Sequence, residues 1–243
     1  MEWKATATVN PPFTCNALPI RTIPLILAGL LGSIFFTPAA FAFDLELNAS
    51  VNNTQVRFFD LDGSGKLGAV MPNGNGVEYR TQASLGADGT VRDVGAVVND
   101  ALAADLNGDG ALDFVTANAN GNISVLISVN DGDIYDFYAP VNYATTATPS
   151  KLWALDLNGD GFPDVVTLNS GSISVFINDG SGQFAAATGH AVCGQALEMT
   201  TADLNGDGFP DLVFPCYGDT AVDVLESGGG SFSRTTLVMA EAV

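Results

Sequence analysis

The sequence predicts an all-β fold built from four copies of one unit, and three observations predict it. Residues 105–113, 156–164 and 203–211 share one pattern, Asp-Leu-Asn-Gly-Asp-Gly-x-x-Asp, and residues 60–68 hold a worn copy, Asp-Leu-Asp-Gly-Ser-Gly-Lys-Leu-Gly. These stretches begin 45, 51 and 47 residues apart, a period typical of repeat architectures with four strands per unit. Each is followed by a β-branched run, a Gly/Asn turn and an alternating strand, and outside the N-terminal segment no stretch has a helical period.

In chain order, residues 1–42 read as a secretory signal. Lys4 and Arg21 are its only basic residues, 22–36 is apolar and uncharged, and Ala40, Phe41 and Ala42 give a small-x-small cleavage pattern before Phe43. The apolar run is short for a membrane span, which takes about 20 residues. The mature chain from Phe43 is then expected to have no membrane span and to be secreted, periplasmic or held at the cell surface. The rest, 43–243, reads as one domain with repeats at about 53–95, 96–145, 146–193 and 194–240. Within each repeat the predicted order is strand, nine-residue loop, strand, turn, strand, turn, strand. The last strand is expected around Phe137, Phe184 or Phe232 in the second, third and fourth repeats.

Charge bounds the partners. The chain has 27 acidic residues against 8 Lys and Arg, a net charge of −19, which excludes nucleic acid, whose phosphates need basic residues. Eleven of the acids lie in the four nine-residue stretches, so much of the charge is concentrated rather than spread as a solvating surface. Of three cysteines, Cys15 falls in the signal. Cys193 and Cys216 form an even pair in an exported chain, where disulfides persist, although their unequal distances from the last loop count against a simple cross-hairpin bridge.

Oxygen-bearing side chains at positions 1, 3, 5 and 9 around a glycine at position 6 are what a hard divalent cation needs. Ca²⁺ takes about 6–8 oxygen ligands and requires a sharp turn to gather them. An EF-hand would need a glutamate at position 12, where Thr116, Thr167 and Phe214 stand instead. Calcium-binding β-helix repeats recur every nine residues rather than every 45–51. The remaining rival is an ion-free Asx-turn hairpin, a stronger rival for the worn loop, where Ser64 and Gly68 replace carboxylates.

The loop, its flanking strands and its spacing resemble the FG-GAP/VCBS repeat family, the calcium-loop β-propellers that include integrin α-subunit heads and many bacterial exported proteins. The resemblance spans about 53–236, although the family's Phe-Gly and Gly-Ala-Pro tags are eroded. It implies a β-propeller-like fold of four repeats of four antiparallel strands with calcium-binding hairpin loops. It also implies Ca²⁺ ligation by Asp105, Asn107, Asp109, Asp113 and the Ala111 carbonyl. The same positions are Asp156, Asn158, Asp160, Asp164 and the Phe162 carbonyl in the next copy. In the last they are Asp203, Asn205, Asp207, Asp211 and the Phe209 carbonyl. Asp60, Asp62 and Ser64 are the weaker counterparts. Family propellers usually close with about seven blades, and four are encoded here. A small closed ring with 43–51 adding a strand to the last blade, a homodimer completing a larger ring, and a shortened array all stay open.

Little points to catalysis. His190 is the only histidine, and no nucleophile motif accompanies it. The expectation is a non-catalytic binding or adhesion module for protein or carbohydrate, with Tyr138, Tyr143 and Tyr217 placed near the face opposite the cation loops. Trp153 reads as core. The alternative is a propeller enzyme or enzyme subunit acting on polysaccharide, for which Glu78, Asp93, Asp100, Lys151 and Glu198 are the available groups.

Overall fold

The computed structural model of the chain describes residues 56–61, 65, 67–81, 89–131, 134–218 and 220–238. The signal, the closing strand at 43–51, and Asp62 and Ser64 of the worn loop lie outside them. Four four-stranded antiparallel sheets follow one another along the chain. Sheet 1 holds β1 (Arg57–Phe59), β2 (Gly68–Asn73), β3 (Gly76–Arg80) and β4 (Thr90–Asp93). Sheet 2 begins with β5 (Val98–Ala104), β6 (Asp113–Asn118) and β7 (Asn122–Leu126). There β8 (Ser128–Asp131) and β9 (Ile134–Phe137) pair as a separate hairpin before β10 (Val141–Ala144) returns to the sheet. Sheet 3 holds β11 (Pro149–Leu155), β12 (Asp164–Asn169), β13 (Ser172–Phe176) and β14 (Thr188–Ala191). Sheet 4 holds β15 (Thr200–Ala202), β16 (Asp211–Cys216), β17 (Ala221–Ser227) and β18 (Phe232–Val238).

Two of the expected fourth strands lie elsewhere. Phe137 ends the extra hairpin, and the extra residues of the second repeat are spent there, so the fourth strand starts only at Val141. Phe184 makes only an isolated bridge to Asn178, and the sheet resumes at Thr188. Both phenylalanines are used as core instead. The Phe137 ring stacks on Phe114 with centroids 4.4 Å apart, and Phe184 packs edge-on against Tyr143 at 5.6 Å.

Strand alternation explains how the sheets stack, because successive side chains point to opposite faces. In β6, Phe114 joins Val70, Val77 and Tyr79 of sheet 1, while Val115 and Ala117 join Leu152, Val165 and Phe176 of sheet 3. In β12, Val165 faces back in the same way, and Val166 and Leu168 face forward onto Leu212, Phe214 and Leu225. All six residues of β6 and of β12 are therefore buried. Trp153 is half-buried in the core between sheets 3 and 4. The first strand of each sheet also carries polar ties to the next. Asp100, 1% exposed, accepts from Arg57 at 2.7 Å and from the Leu152 amide at 2.9 Å, and Lys151 pairs with Glu198. Burial raises the Asp100 carboxyl above its ordinary value, with Arg57 opposing.

Cys193 and Cys216 are bridged, with Cα atoms 5.7 Å apart. The approach to sheet 4 folds back along β16, pairing Ala196 with Cys216, so the unequal spacing is taken up by a turn rather than by a hairpin.

Candidate metal centre

Each strong loop runs from the first to the second strand of its sheet, and its backbone is closed by its own side chains. Asp105 accepts the amide of Gly108 at 2.7 Å on Oδ1 and that of Gly110 at 2.9 Å on Oδ2. Asn107 Oδ1 accepts the Asp109 amide, and Asp109 Oδ1 accepts the Ala111 amide at 2.8 Å. The same bonds recur from Asp156, Asn158 and Asp160 and from Asp203, Asn205 and Asp207. Glycine is required at positions 4 and 6, where φ is 74° and 87° in the first loop and similar in the others, a left-handed backbone that side chains disfavour.

The position-nine aspartates do something the sequence pattern does not announce. Asp113 is fully buried, and Oδ2 accepts the Leu106 amide at 2.9 Å while Oδ1 accepts the Ser128 amide at 2.7 Å. Asp164 joins Leu157 and Asn178, and Asp211 joins Leu204 and Ser227, in the same manner. Each carboxylate thus staples the loop to the end of the third strand. Burial pushes the Asp113 and Asp164 carboxyls above their ordinary range, and the neighbouring loop aspartates push the same way.

Position seven also has a side-chain role. The Phe162 ring lies against Gly108 of the preceding loop and Gly180 of its own sheet, and Phe209 lies against Gly159 and Gly229. Asn178, 2% exposed, ties consecutive loops, donating to the Leu106 carbonyl at 2.7 Å and the Pro163 carbonyl at 3.0 Å. Sequence reasoning missed it; its signal was the Asn-Asp-Gly shared by 130–132 and 178–180.

In the worn loop, Asp60 Oδ2 accepts the Gly65 amide at 2.8 Å, matching the first bond set of the strong loops. Gly68 stands at position nine because a Cβ there would run into the Arg80 carbonyl and Leu61. This loop therefore has no staple.

The donor set fits a hard cation. Asp105, Asn107, Asp109, Asp113 and the Ala111 carbonyl offer oxygen alone, as do their counterparts, and three carboxylates in nine residues repel without a counter-charge. Bound Ca²⁺ would neutralise that repulsion, and these residues are the ones that would hold it. Among the described residues, the one cluster of Cys, His or acidic ligand atoms within 4.8 Å of one another is Cys193, Cys216 and Asp223. Its sulfurs are bonded to each other, and Asp223 is taken by Arg234, Thr236 and the Cys193 amide.

The groups weighed for catalysis are each engaged. Glu78 pairs with Arg80, Asp100 with Arg57 and Glu198 with Lys151, and Asp93 accepts the Gly95 amide. His190 is half-buried with its ring 5.1 Å from that of Phe232. Of the tyrosines, Tyr217 is exposed at the β16–β17 turn, opposite the cation loops. Tyr138 is exposed at the other end, donating its amide to Ile127 beside the Asp113 staple. Tyr143 is packed against Phe176 and Phe184 and accepts the Phe184 amide. Only Tyr217 therefore lies where all three were expected.

No curated protein matches the chain significantly. Among solved structures, it is similar to an Agrocybe aegerita lectin described as recognising non-reducing terminal N-acetylglucosamine. The two are 24% identical with a TM-score of 0.51, over 76% of this chain and 52% of the lectin chain. It is also similar to BBS1N, solved in complex with ARL6DN, at 14% identity and a TM-score of 0.50, again over 76% and 52%. These likenesses speak to the fold, and the chain spans about half the length of each. The family model of the FG-GAP-like repeat matches residues 105–167 and 156–214. Both matches contain complete stapled loops, and residues 105–214 are thus built of FG-GAP-like repeats.

Proposed function

We propose that this chain is an exported, calcium-stabilised β-propeller-like module that binds a carbohydrate or protein ligand and catalyses no reaction. The observation that carries this reading is the oxygen-only loop, present three times in one hydrogen-bonded frame within FG-GAP-like repeats. The ions act structurally, each holding a loop whose carboxylates otherwise repel. The ligand class rests on the likeness to a carbohydrate-recognising lectin and on Tyr217, whose exposed ring offers a stacking surface on the face opposite the loops. Residues 1–42 direct export, and the mature chain begins at Phe43.

Calorimetric titration of the mature protein tests the metal. About three Ca²⁺ per chain are expected, and the combined changes Asp109→Ala, Asp160→Ala and Asp207→Ala abolish them. Protein that takes up no calcium, or a triple variant that still does, refutes the assignment. A glycan array run beside a turnover screen on the same polysaccharides tests the ligand. Binding without turnover is expected, and cleavage of any of them replaces this reading with the enzyme one.

A further inference from the structure

The three strong loops carry the same donors, yet the chain covers them unequally. The difference is plainest at position four, a glycine in each. A Cβ added at Gly108 would meet the Phe162 ring at 2.9 Å, and one at Gly159 would meet the Phe209 ring at 3.0 Å, whereas Gly206 faces open space. The turn between the third and fourth strands of the following sheet adds a second cover, with Gly182 on Leu106 and Gly230 on Asn158. Asn178 adds a third for 105–113 through its 2.7 Å bond to the Leu106 carbonyl. Its counterpart on sheet 4 is Ser227, whose amide is bonded to Asp211 as that of Asn178 is to Asp164. The Ser227 hydroxyl has no partner among the described residues. Cover therefore falls along the chain. Leu106 and Leu157 are fully buried while Leu204 is 57% exposed. Asp203 and Asn205 are exposed where their counterparts are half-buried, and Asn205 lines an open cavity of about 310 Å³.

What covers each loop is carried by the next one. Phe162 and Phe209 stand at position seven, so the residue whose ring rests on the preceding loop also offers its carbonyl to its own donor set. Each ring is seated in its own sheet as well, against Gly180 or Gly229. Ordering of 156–164 thus fixes the Phe162 ring on Gly108, and ordering of 203–211 fixes the Phe209 ring on Gly159. A loop already held in its ligating shape loses less conformational freedom when it binds. The relay stops at 105–113, where position seven is Ala111 and offers only a methyl.

We propose, on the reading of these loops as calcium sites, that they form a coupled and graded series rather than three equal sites. Residues 105–113 fill at the lowest calcium and 203–211 at the highest. Phe162 and Phe209 are the positioning residues that link each site to the next. Such coupling is reciprocal, so emptying either of two linked loops weakens the other by the same factor. As calcium falls, the loop of sheet 4 empties first.

The test follows the amides of Gly110, Gly161 and Gly208, each bonded to the first aspartate of its loop, by NMR of the mature chain titrated with calcium alone. Their midpoints are expected to rise in that order. Asp160→Ala, which empties 156–164 from its exposed side, should raise the Gly208 midpoint about fivefold or more. Phe209→Ala should raise the Gly161 midpoint, although the ring is no donor to that loop, and should make Gly208 indifferent to Asp160→Ala. A ring that only stabilised its sheet would lower Tm and leave the Gly161 midpoint in place. Coincident midpoints, Gly208 filling ahead of Gly161, or a Gly208 midpoint unmoved by Asp160→Ala overturns the proposal and leaves the calcium reading standing. No uptake at any of the three loops overturns both.

Discussion

Removing the Asp164 carboxylate should destabilise the protein whether or not calcium is present, whereas removing that of Asp160 should matter chiefly with calcium. Asp164→Ala strips the acceptor from two amides, those of Leu157 and Asn178, in a fully buried position. An orphaned buried donor costs about 1–3 kcal/mol, so the pair costs about 2–6 kcal/mol. Relief of the burial that holds this carboxyl above its ordinary range offsets part of it. A net loss near 3 kcal/mol is expected, lowering Tm by about 6–12 °C for a domain of this size. Asp160, by contrast, bonds on the exposed side of the loop to the Phe162 amide and to Asn158. Its replacement in chelator should cost less than about 1 kcal/mol. In calcium it should cost further, because a ligand bound only by the folded state adds about 2.7 kcal/mol at a hundred times Kd. Urea unfolding of both variants, each in chelator and in calcium, separates the two roles. Equal losses for the two in chelator would show that the staple bears no weight.

Three further outcomes are expected. His190 should titrate below its ordinary value near 6.5, because burial beside Phe232 disfavours the imidazolium. The unfolded chain then binds the proton first, so stability falls as pH drops through the window just below 6.5. One-histidine NMR should report this, with Phe232→Ala moving the midpoint upward; an unmoved midpoint rejects the burial account. Gly159→Ala should cost more than Gly161→Ala. Both sit at positive φ, worth roughly 1–2 kcal/mol, but only the first must also displace the Phe209 ring; equal Tm losses would remove Phe209 from that contact. Reducing the Cys193–Cys216 bridge, which closes a 23-residue separation, should lower stability by about 3 kcal/mol on the loop-entropy scale. A melt indifferent to reductant, with thiols titrated free, contradicts it.

The parts of the fold written in local pattern were legible from sequence. The loop motif marked where the first strand of each sheet turns into the second, and Gly121, Gly171 and Gly218 marked the next turns, each at positive φ. What stayed hidden depended on partners far away in sequence. The double acceptance by Asp113 was masked because a position-nine carboxylate reads as a metal ligand, and its partner Ser128 lies 15 residues on. Gly68 looked like decay of the motif, but the nearby Arg80 carbonyl excludes a side chain there. The fourth strands were misplaced because Phe137 and Phe184 advertise strand by type, while the packing of Phe114 and Tyr143 draws them into cores. The difference between Leu157 and Leu204 is invisible in identical local sequence and follows only from what stacks next.

The Arg57 guanidinium bears on how the chain loses its structure. In an array where each unit touches only its neighbours, ends fray first and unfolding spreads stepwise. Arg57 donates to Asp100 in the second sheet and to the Leu152 carbonyl in the third, 95 residues away, and Asp100 also accepts the Leu152 amide. A single knot therefore spans three consecutive units and skips over one. Peeling away the first sheet would strand a buried aspartate between the other two, so these three sheets should exchange their amide hydrogens as one cooperative block. The fourth lies beyond the knot and is held to the third by their shared core and the Lys151–Glu198 pair, so it should open as a separate step, while the knot, which joins residues 95 apart, is among the last contacts to form.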